Sequence, residues 1–343
     1  QKTGAFNVCS FGGGCLLSCH FGSFSCSGWK TRMGAREYRK IPRVFFEAKL
    51  GNPVKKKDPS HFSDLLQLTK PRICVLALLM STLGYLMGSH TTISKWHFFF
   101  TLLGTGLVGA ASCIFNQVAE KDVDSLMLRT LNRPIPAGRI LPKEALKVGI
   151  VLGVFGEIIL LVAVNSVTAI LGAITLLTYV GVYTPSKKTT PMSTLIGAIP
   201  GAMPPLMGWT ASYGSVSIQG LILFMILFLW QIPHFLAIAW LYREDYARAS
   251  LPILSVVDTN GSATSKQVIL YSIALLPLTL VPTVWGITGV VYLWGALALG
   301  ILFLLCGILL SVYQTRGYAR LLFIVSIIYL PVLGVLMVWD RVA

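Results

Sequence analysis

Residues 96–124 read WHFFFTLLGTGLVGAASCIFNQVAEKDVD, a run without charge from Trp96 to Ala119 that ends in the carboxylates Glu120, Asp122 and Asp124. Crossing a hydrocarbon core as an α-helix takes about 20 residues, so this stretch reads as a transmembrane helix with an acidic end. Continued as a helix, it spaces Asn116, Glu120 and Asp124 four residues apart. Their side chains then drift by only about 80° around the axis and share one face. Three oxygen donors on one face can hold a divalent cation. Arg129 and Arg133 follow at once, and fixed positive charge beside acidic ligands suits a Mg2+-bound diphosphate. The competing reading is a solvated juxtamembrane end that happens to be acidic; as a metal ligand too, Asp124 is expected to be a surface acid whose replacement abolishes turnover and costs little stability.

Composition agrees with a membrane protein. Of 343 residues, 55% are hydrophobic and 12% charged, against roughly 25% charged in soluble domains. Further uncharged runs cover 73–94, 148–186 (broken only by Glu157), 189–242, 267–315 and 321–339. The three longest each hold two spans, turning near Asn165, near Ser212–Ser217 and near Gly286–Gly289, where Gly, Ser and Asn interrupt the apolar pattern. The expected fold is therefore all-α, a polytopic bundle of about nine transmembrane helices. The net charge of +15 lies in tails and short loops, with no basic helix or aromatic pattern for nucleic acid. Fifteen lysines and arginines fall in loops on one face, from Lys70 and Arg72 to Arg316 and Arg320, against Lys95 and Arg341 on the other. That asymmetry orients the bundle and puts the polar chemistry on the basic side.

Residues 1–60 differ from the rest. They are rich in Gly, Ser and Cys, then basic, with no acid before Glu37. This reads as a disordered, organelle-targeting arm, and residues 61–343 as the membrane domain. Lys55–Lys57 suit a linker or an anionic lipid contact. Seven cysteines, at 9, 15, 19, 26, 74, 113 and 306, include no CxxC pair, so neither a disulfide framework nor a zinc site is expected.

A second polar cluster, WQIPHFLAIAWLYREDYARASLPIL, carries His234, Arg243, Glu244, Asp245 and Tyr246 at the end of the sixth expected helix. On the same side as the first, it could set Asp245 opposite Asn116, Glu120 and Asp124 and complete a two-metal cavity. The loop from Tyr183 adds Lys187 and Lys188 for phosphate oxygens. Oxygen donors favour Mg2+ over zinc. His234 reads either as a ligand or as hydrogen-bonded packing. Glu157, inside an apolar run, is a functional acid or one paired within the bundle. The small residues of Gly197–Gly208 suit close helix packing. Mg2+ and basic side chains on a departing diphosphate would turn C1 of a prenyl chain into a cation-like electrophile for an electron-rich acceptor.

These stretches resemble the UbiA-type intramembrane prenyltransferases, and within them the haem-farnesylating branch, the haem O synthases. The resemblance spans about residues 65–340. It rests on LTKPRI (68–73), NQVAEKDVDSLMLRTLNRPIPAGRI (116–140), YTPSKKTTPMSTLIGAIPGAMPPLMGW (183–209), WQIPHF (230–235) and REDYARASLPIL (243–254). It implies farnesyl transfer from farnesyl diphosphate to a vinyl group of haem B, with water adding to give haem O, and Mg2+ as cofactor. It implies catalytic and metal roles for Asn116, Glu120, Asp124 and Asp245. Substrate binding would fall to Arg129, Arg133, Tyr183, Lys187, Lys188, His234 and Arg243. The second acidic motif is half present, since Ala249 and Leu241 stand where a partner acid would be, which leaves one or two metal ions open. In this reading the protein sits in the mitochondrial inner membrane with its active-site loops in the matrix, and its product passes to the next enzyme of haem A synthesis. The alternatives are prenyl transfer to a small aromatic acceptor in quinone synthesis, and a transporter.

Overall fold

The computed structural model describes residues 60–89 and 93–342, so the expected targeting arm, with its four cysteines and Lys55–Lys57, lies outside the described residues. Among the described residues, eight helices are long and apolar enough to span a bilayer. They comprise α2 (Pro71–Gly88), α3 (Lys95–Ala119), α5 (Pro142–Ile159) with its continuation to Val164, α6 (Ser166–Leu177) with its continuation to Ser186, α9 (Ile218–Leu241), α12 (Ser262–Val284), α13 (Val290–Tyr313) and α14 (Arg316–Trp339). A π-helical turn, Leu160–Val164, lengthens α5, and another, Thr178–Tyr183, leads from α6 into the short α7 (Thr184–Ser186). Among the described residues the remaining helices are α1 (His61–Leu68), α4 (Lys121–Asp124), α8 (Ser193–Tyr213), α10 (Arg243–Arg248) and α11 (Leu254–Val257).

Among the described residues a ninth long helix is α8, whose Gly, Pro, Ser and Thr content keeps it outside that set. Most of its residues are buried, and it packs against α2, α6 and α9. A helix surrounded by protein needs no lipid-compatible surface, and small residues let neighbouring backbones approach. A Cβ on Gly84 of α2 would collide with the carbonyl of Pro205, and one on Gly208 with that of Ser81. This is the packing role expected for Gly197–Gly208. On the outside, α5 presents Val151, Val154, Phe155, Ile158 and Val162, all exposed, as an apolar face suited to lipid.

The three expected turns occur where polar and glycine residues punctuate the runs. Asn165 caps α6, its Oδ1 accepting the Thr168 N–H at 2.8 Å. Gly214, at φ 89°, ends α8, and Gly286, at φ 70°, follows α12. The face opposite the basic loops is held by the chain end. The Asp340 carboxylate accepts the Tyr292 N–H at 2.7 Å, and Arg341 donates to the carbonyls of Leu86 and Ser89. Cys113 and Cys306 are buried and free, as their apolar runs predict, and Cys74 is free and half-buried.

Candidate active site

Helical hydrogen bonding does not stop where α3 ends. The Glu120 N–H donates to the Asn116 carbonyl at 2.9 Å and the Asp124 N–H to the Glu120 carbonyl at 2.8 Å, carrying the register into α4. Asn116, Glu120 and Asp124 therefore sit on successive turns. Their relative exposures are 0%, 8% and 0%, so the row is inside the protein. Asp124 is thus no surface acid, contrary to expectation, because the loop after α4 folds back over it: Thr130 Oγ1 donates to the Asp124 carbonyl at 2.8 Å.

Each member of the row meets a cation from a different segment. Lys70 Nζ donates to Asn116 Oδ1 at 2.9 Å, Lys187 Nζ to Glu120 Oε1 at 2.7 Å, and Arg133 Nη1 to Asp124 Oδ2 at 2.6 Å. Asn116 Nδ2 donates to Thr184 Oγ1 at 3.2 Å, tying the row to α7. Among the described residues, the buried Asp124 Oδ1 has no hydrogen-bond partner. A buried carboxylate oxygen left over beside an amide and a second carboxylate is a donor set that fits a hard divalent cation such as Mg2+.

Local structure explains how the cations arrive. Lys70 lies in the left-handed region, φ 50° and ψ 63°, directly before Pro71 at the start of α2. That conformation costs a non-glycine residue on the order of 1–2 kcal/mol, a strain typical of functional positions. Charge alone had placed Lys70 only in the loop tally; its contact with Asn116 makes it a site residue. A lysine wedged before the N1 proline of a helix was the available signal. Lys187 leaves α7 with its Nζ 4.4 Å from the Tyr183 ring centroid, and Tyr179 packs on Tyr183 at 5.2 Å. The π-turn Thr178–Tyr183 reaches this pair, a distortion frequent at functional sites. Arg133 is fixed by its loop, where Arg139 Nε donates to both Asp64 oxygens at 3.0 Å and so ties the loop to α1.

Burial and pairing compete in the protonation of these groups. Burial alone would raise the Glu120 carboxyl, but the Lys187 ammonium outweighs it and holds the group below its usual range. Burial alone would lower Lys187, and the Tyr183 oxygen and the Glu120 carboxylate reverse that, so it is raised. Lys70 has a neutral amide as partner, and burial lowers it.

In the second cluster, Asp245 Oδ1 accepts the Leu128 N–H at 3.4 Å and Arg248 Nη1 at 2.6 Å, and its Oδ2 accepts the Arg129 N–H at 3.3 Å. Among the described residues, no three His, Cys, Asp or Glu side chains are grouped so as to share a metal. The Asp245 oxygens hold the loop after α4. Arg129 Nη2 donates to Tyr246 Oη at 3.4 Å, and the guanidinium lies 4.9 Å from the Tyr242 ring centroid. Met127 packs with Ala239, Ala249, Leu251 and Ile253 beneath these contacts. Ala249 is small and apolar because its position is part of that packed layer.

The other expected residues meet different surroundings. His234 Nδ1 pairs with Ser326 Oγ at 2.6 Å, and its ring stacks on Trp230 and Phe323, so it joins α9 to α14. Arg243 is half-buried over the Trp240 ring at 5.1 Å, and Lys188 is exposed. Glu157 has its Oε1 buried without a partner among the described residues, against Gly172 and about four turns along α5 from the basic face.

Known proteins share this architecture. The UbiA prenyltransferase family matches residues 77–333. The protoheme IX farnesyltransferase of Solibacter usitatus (strain Ellin6076) is 43% identical over 288 residues, covering 81% of this chain and 98% of the relative. That of Aquifex aeolicus (strain VF5) is 38% identical over 281 residues, covering 81% and 95%. A solved structure from work on digeranylgeranylglyceryl phosphate synthase in membranes aligns with a TM-score of 0.69 at 20% identity, covering 81% of this chain and 98% of that one. A UbiA homolog from Archaeoglobus fulgidus bound to GPP and Mg2+ aligns with a TM-score of 0.60 at 18% identity, covering 80% and 99%. The two solved structures share the fold, and the sequence relatives match over nearly their whole length. By the match over residues 77–333 and by these relatives, the chain belongs to the UbiA prenyltransferase family.

Proposed function

We propose that this protein transfers the farnesyl group of farnesyl diphosphate to a vinyl group of haem B, giving haem O on the way to haem A and cytochrome c oxidase. The observation that carries the reading is the buried row of Asn116, Glu120 and Asp124, each met by a cation from another segment. Relatives at 38–43% identity are named protoheme IX farnesyltransferases, which supports haem as the acceptor.

Asn116, Glu120 and Asp124 would hold Mg2+, which when bound supplies charge stabilisation to the diphosphate leaving group. Lys70, Arg133 and Lys187 bind the diphosphate oxygens and fix the donor with C1 towards the bundle. The C1–O bond breaks with its electron pair leaving on the diphosphate. The vinyl π electrons form the new bond to C1, and water adds to the cation left beside the porphyrin ring, losing a proton to give the hydroxyl. Arg129, Arg243 and Lys188 lie outside the row and are the cations available to haem propionates.

The acid-poor basic arm supports a mitochondrial inner-membrane location, and the positive loops support a site facing the matrix. A product this apolar is best passed on within the bilayer, in direct handover to the next haem A enzyme. The test is incubation of the purified protein in detergent with farnesyl diphosphate, Mg2+ and either haem B or 4-hydroxybenzoate. Farnesylated haem by mass spectrometry is expected; product from the benzoate alone would assign the chain to quinone synthesis.

A further inference from the structure

Two thiols meet one layer beneath the Lys70–Asn116 hydrogen bond. Cys74 follows Lys70 by one helical turn on α2, and Cys113 precedes Asn116 by just under one turn on α3, so both helices continue the same facing rows. The two cysteine side chains are in hydrogen-bonding contact with each other. Cys74 Sγ also donates to the Thr69 carbonyl at 3.0 Å, directly before the left-handed Lys70. Both cysteines are free, Cys113 buried and Cys74 half-buried. Positive charge from Lys70, Arg133 and Lys187 reaches Cys113, which sets the pair against the candidate site itself.

The transfer chemistry makes no use of either thiol. Among the described residues no third His, Cys, Asp or Glu joins them to form a metal site, and two thiols alone do not make a structural zinc centre. Facing sulfurs on adjacent helices are instead arranged for a disulfide, short of a final approach to about 2 Å. Cys74, the more exposed of the two, is the thiol that a peroxide can reach. Its sulfur takes one oxygen from a hydroperoxide, giving a sulfenic acid as the peroxide is reduced to an alcohol or water. The Cys113 sulfur then displaces water and forms the S–S bond, so two electrons pass to the peroxide and both thiol hydrogens end on oxygen. The bond draws the start of α2 towards α3, and the Thr69 carbonyl loses its donor. Lys70, held in a strained conformation next to that carbonyl, loses a support on each side.

We propose that Cys74 and Cys113 form a redox modification site, closed to a disulfide by a hydroperoxide and reopened by a dithiol, whose closure unseats Lys70 from Asn116. The effect on turnover rests on the proposed diphosphate role of Lys70; the bond between the sulfurs does not.

The experiment treats the full chain in detergent with hydrogen peroxide, removes the excess by desalting, alkylates the remaining thiols and maps the digest by mass spectrometry. A peptide pair joined through Cys74 and Cys113, separated by dithiothreitol, is expected; its absence overturns the proposal. Formation of farnesylated haem should fall by about tenfold or more in the linked protein and return with dithiothreitol. Cys74→Ser and Cys113→Ser should each give the same rate with and without peroxide, which excludes Cys306 and the N-terminal cysteines as the cause. Full activity in the linked protein, or an equal loss in either variant, overturns the switch. Hydrogen exchange reads the same event without substrate. The Ile73 and Cys74 amides, which both donate to the Lys70 carbonyl, should exchange faster once the link forms, and unchanged exchange contradicts the displacement of Lys70. Reduced protein that makes no farnesylated haem, yet shows the link and the faster exchange, refutes the proposed transfer reaction and upholds the modification site.

Discussion

Lys187 and Glu120 are joined at 2.7 Å across 67 residues of chain, with the Tyr183 ring centroid 4.4 Å from the ammonium. Both side chains are largely buried, so removing one leaves an uncompensated charge rather than a solvated one. Glu120→Ala should lower stability by about 3 kcal/mol, and Glu120→Gln by less because its amide oxygen still accepts from Lys187. Because pairing depresses the Glu120 carboxyl, its contribution is complete above the unfolded value of about 4.3 and is lost as pH falls through the lower folded value. Thermal unfolding in detergent should therefore show the gap between wild type and Glu120→Gln at pH 7 closing at the acid end.

Asp124→Asn should cost both activity and stability. The residue is buried and holds Arg133 at 2.6 Å, so the substitution leaves a guanidinium charge uncompensated as well as removing a proposed metal ligand. Turnover should fall by about a hundredfold or more, with a lower unfolding temperature. Wild-type stability in this variant would show that Arg133 finds water instead.

Lys70 separates backbone strain from side-chain chemistry. Lys70→Ala keeps the left-handed strain and Lys70→Gly relieves it, so the glycine variant should be the more stable by about 1 kcal/mol. Both lack the ammonium on Asn116, and both should show a KM for farnesyl diphosphate raised by about tenfold or more. The two readouts, unfolding temperature and KM, should move independently.

Asp245→Ala tests the loop-holding role. Hydrogen exchange should accelerate at the Leu128 and Arg129 amides, which now donate to Asp245, while the number of Mn2+ ions bound with farnesyl thiodiphosphate, a slowly reacting donor, counted by electron paramagnetic resonance, stays the same. Loss of a metal ion with unchanged exchange would instead make Asp245 a ligand.

Much of the bundle was legible because lipid constrains composition. Uncharged runs of spanning length, and turns marked by Asn165, Gly214 and Gly286, follow from the need to satisfy backbone groups within the bilayer. The row at Asn116, Glu120 and Asp124 was legible for a similar reason, since helical periodicity fixes which side chains share a face. Contacts across long sequence separations carry no such periodic signal. Nothing in the spacing of Asp245 foretells that the Leu128 and Arg129 amides come to it, or that Asp124 is roofed by its own loop. Lys70 was obscured differently: membrane topology already accounted for a lysine at that end of a helix, so its charge carried no surplus information.

The most direct test of the central claim is to run the farnesyl diphosphate and haem B reaction in water enriched in oxygen-18 and weigh the haem product. The account predicts a haem heavier by one farnesyl group and one labelled hydroxyl, formed by wild type and lost in Asp124→Asn. Haem recovered unchanged, with the farnesyl diphosphate unconsumed, would contradict it.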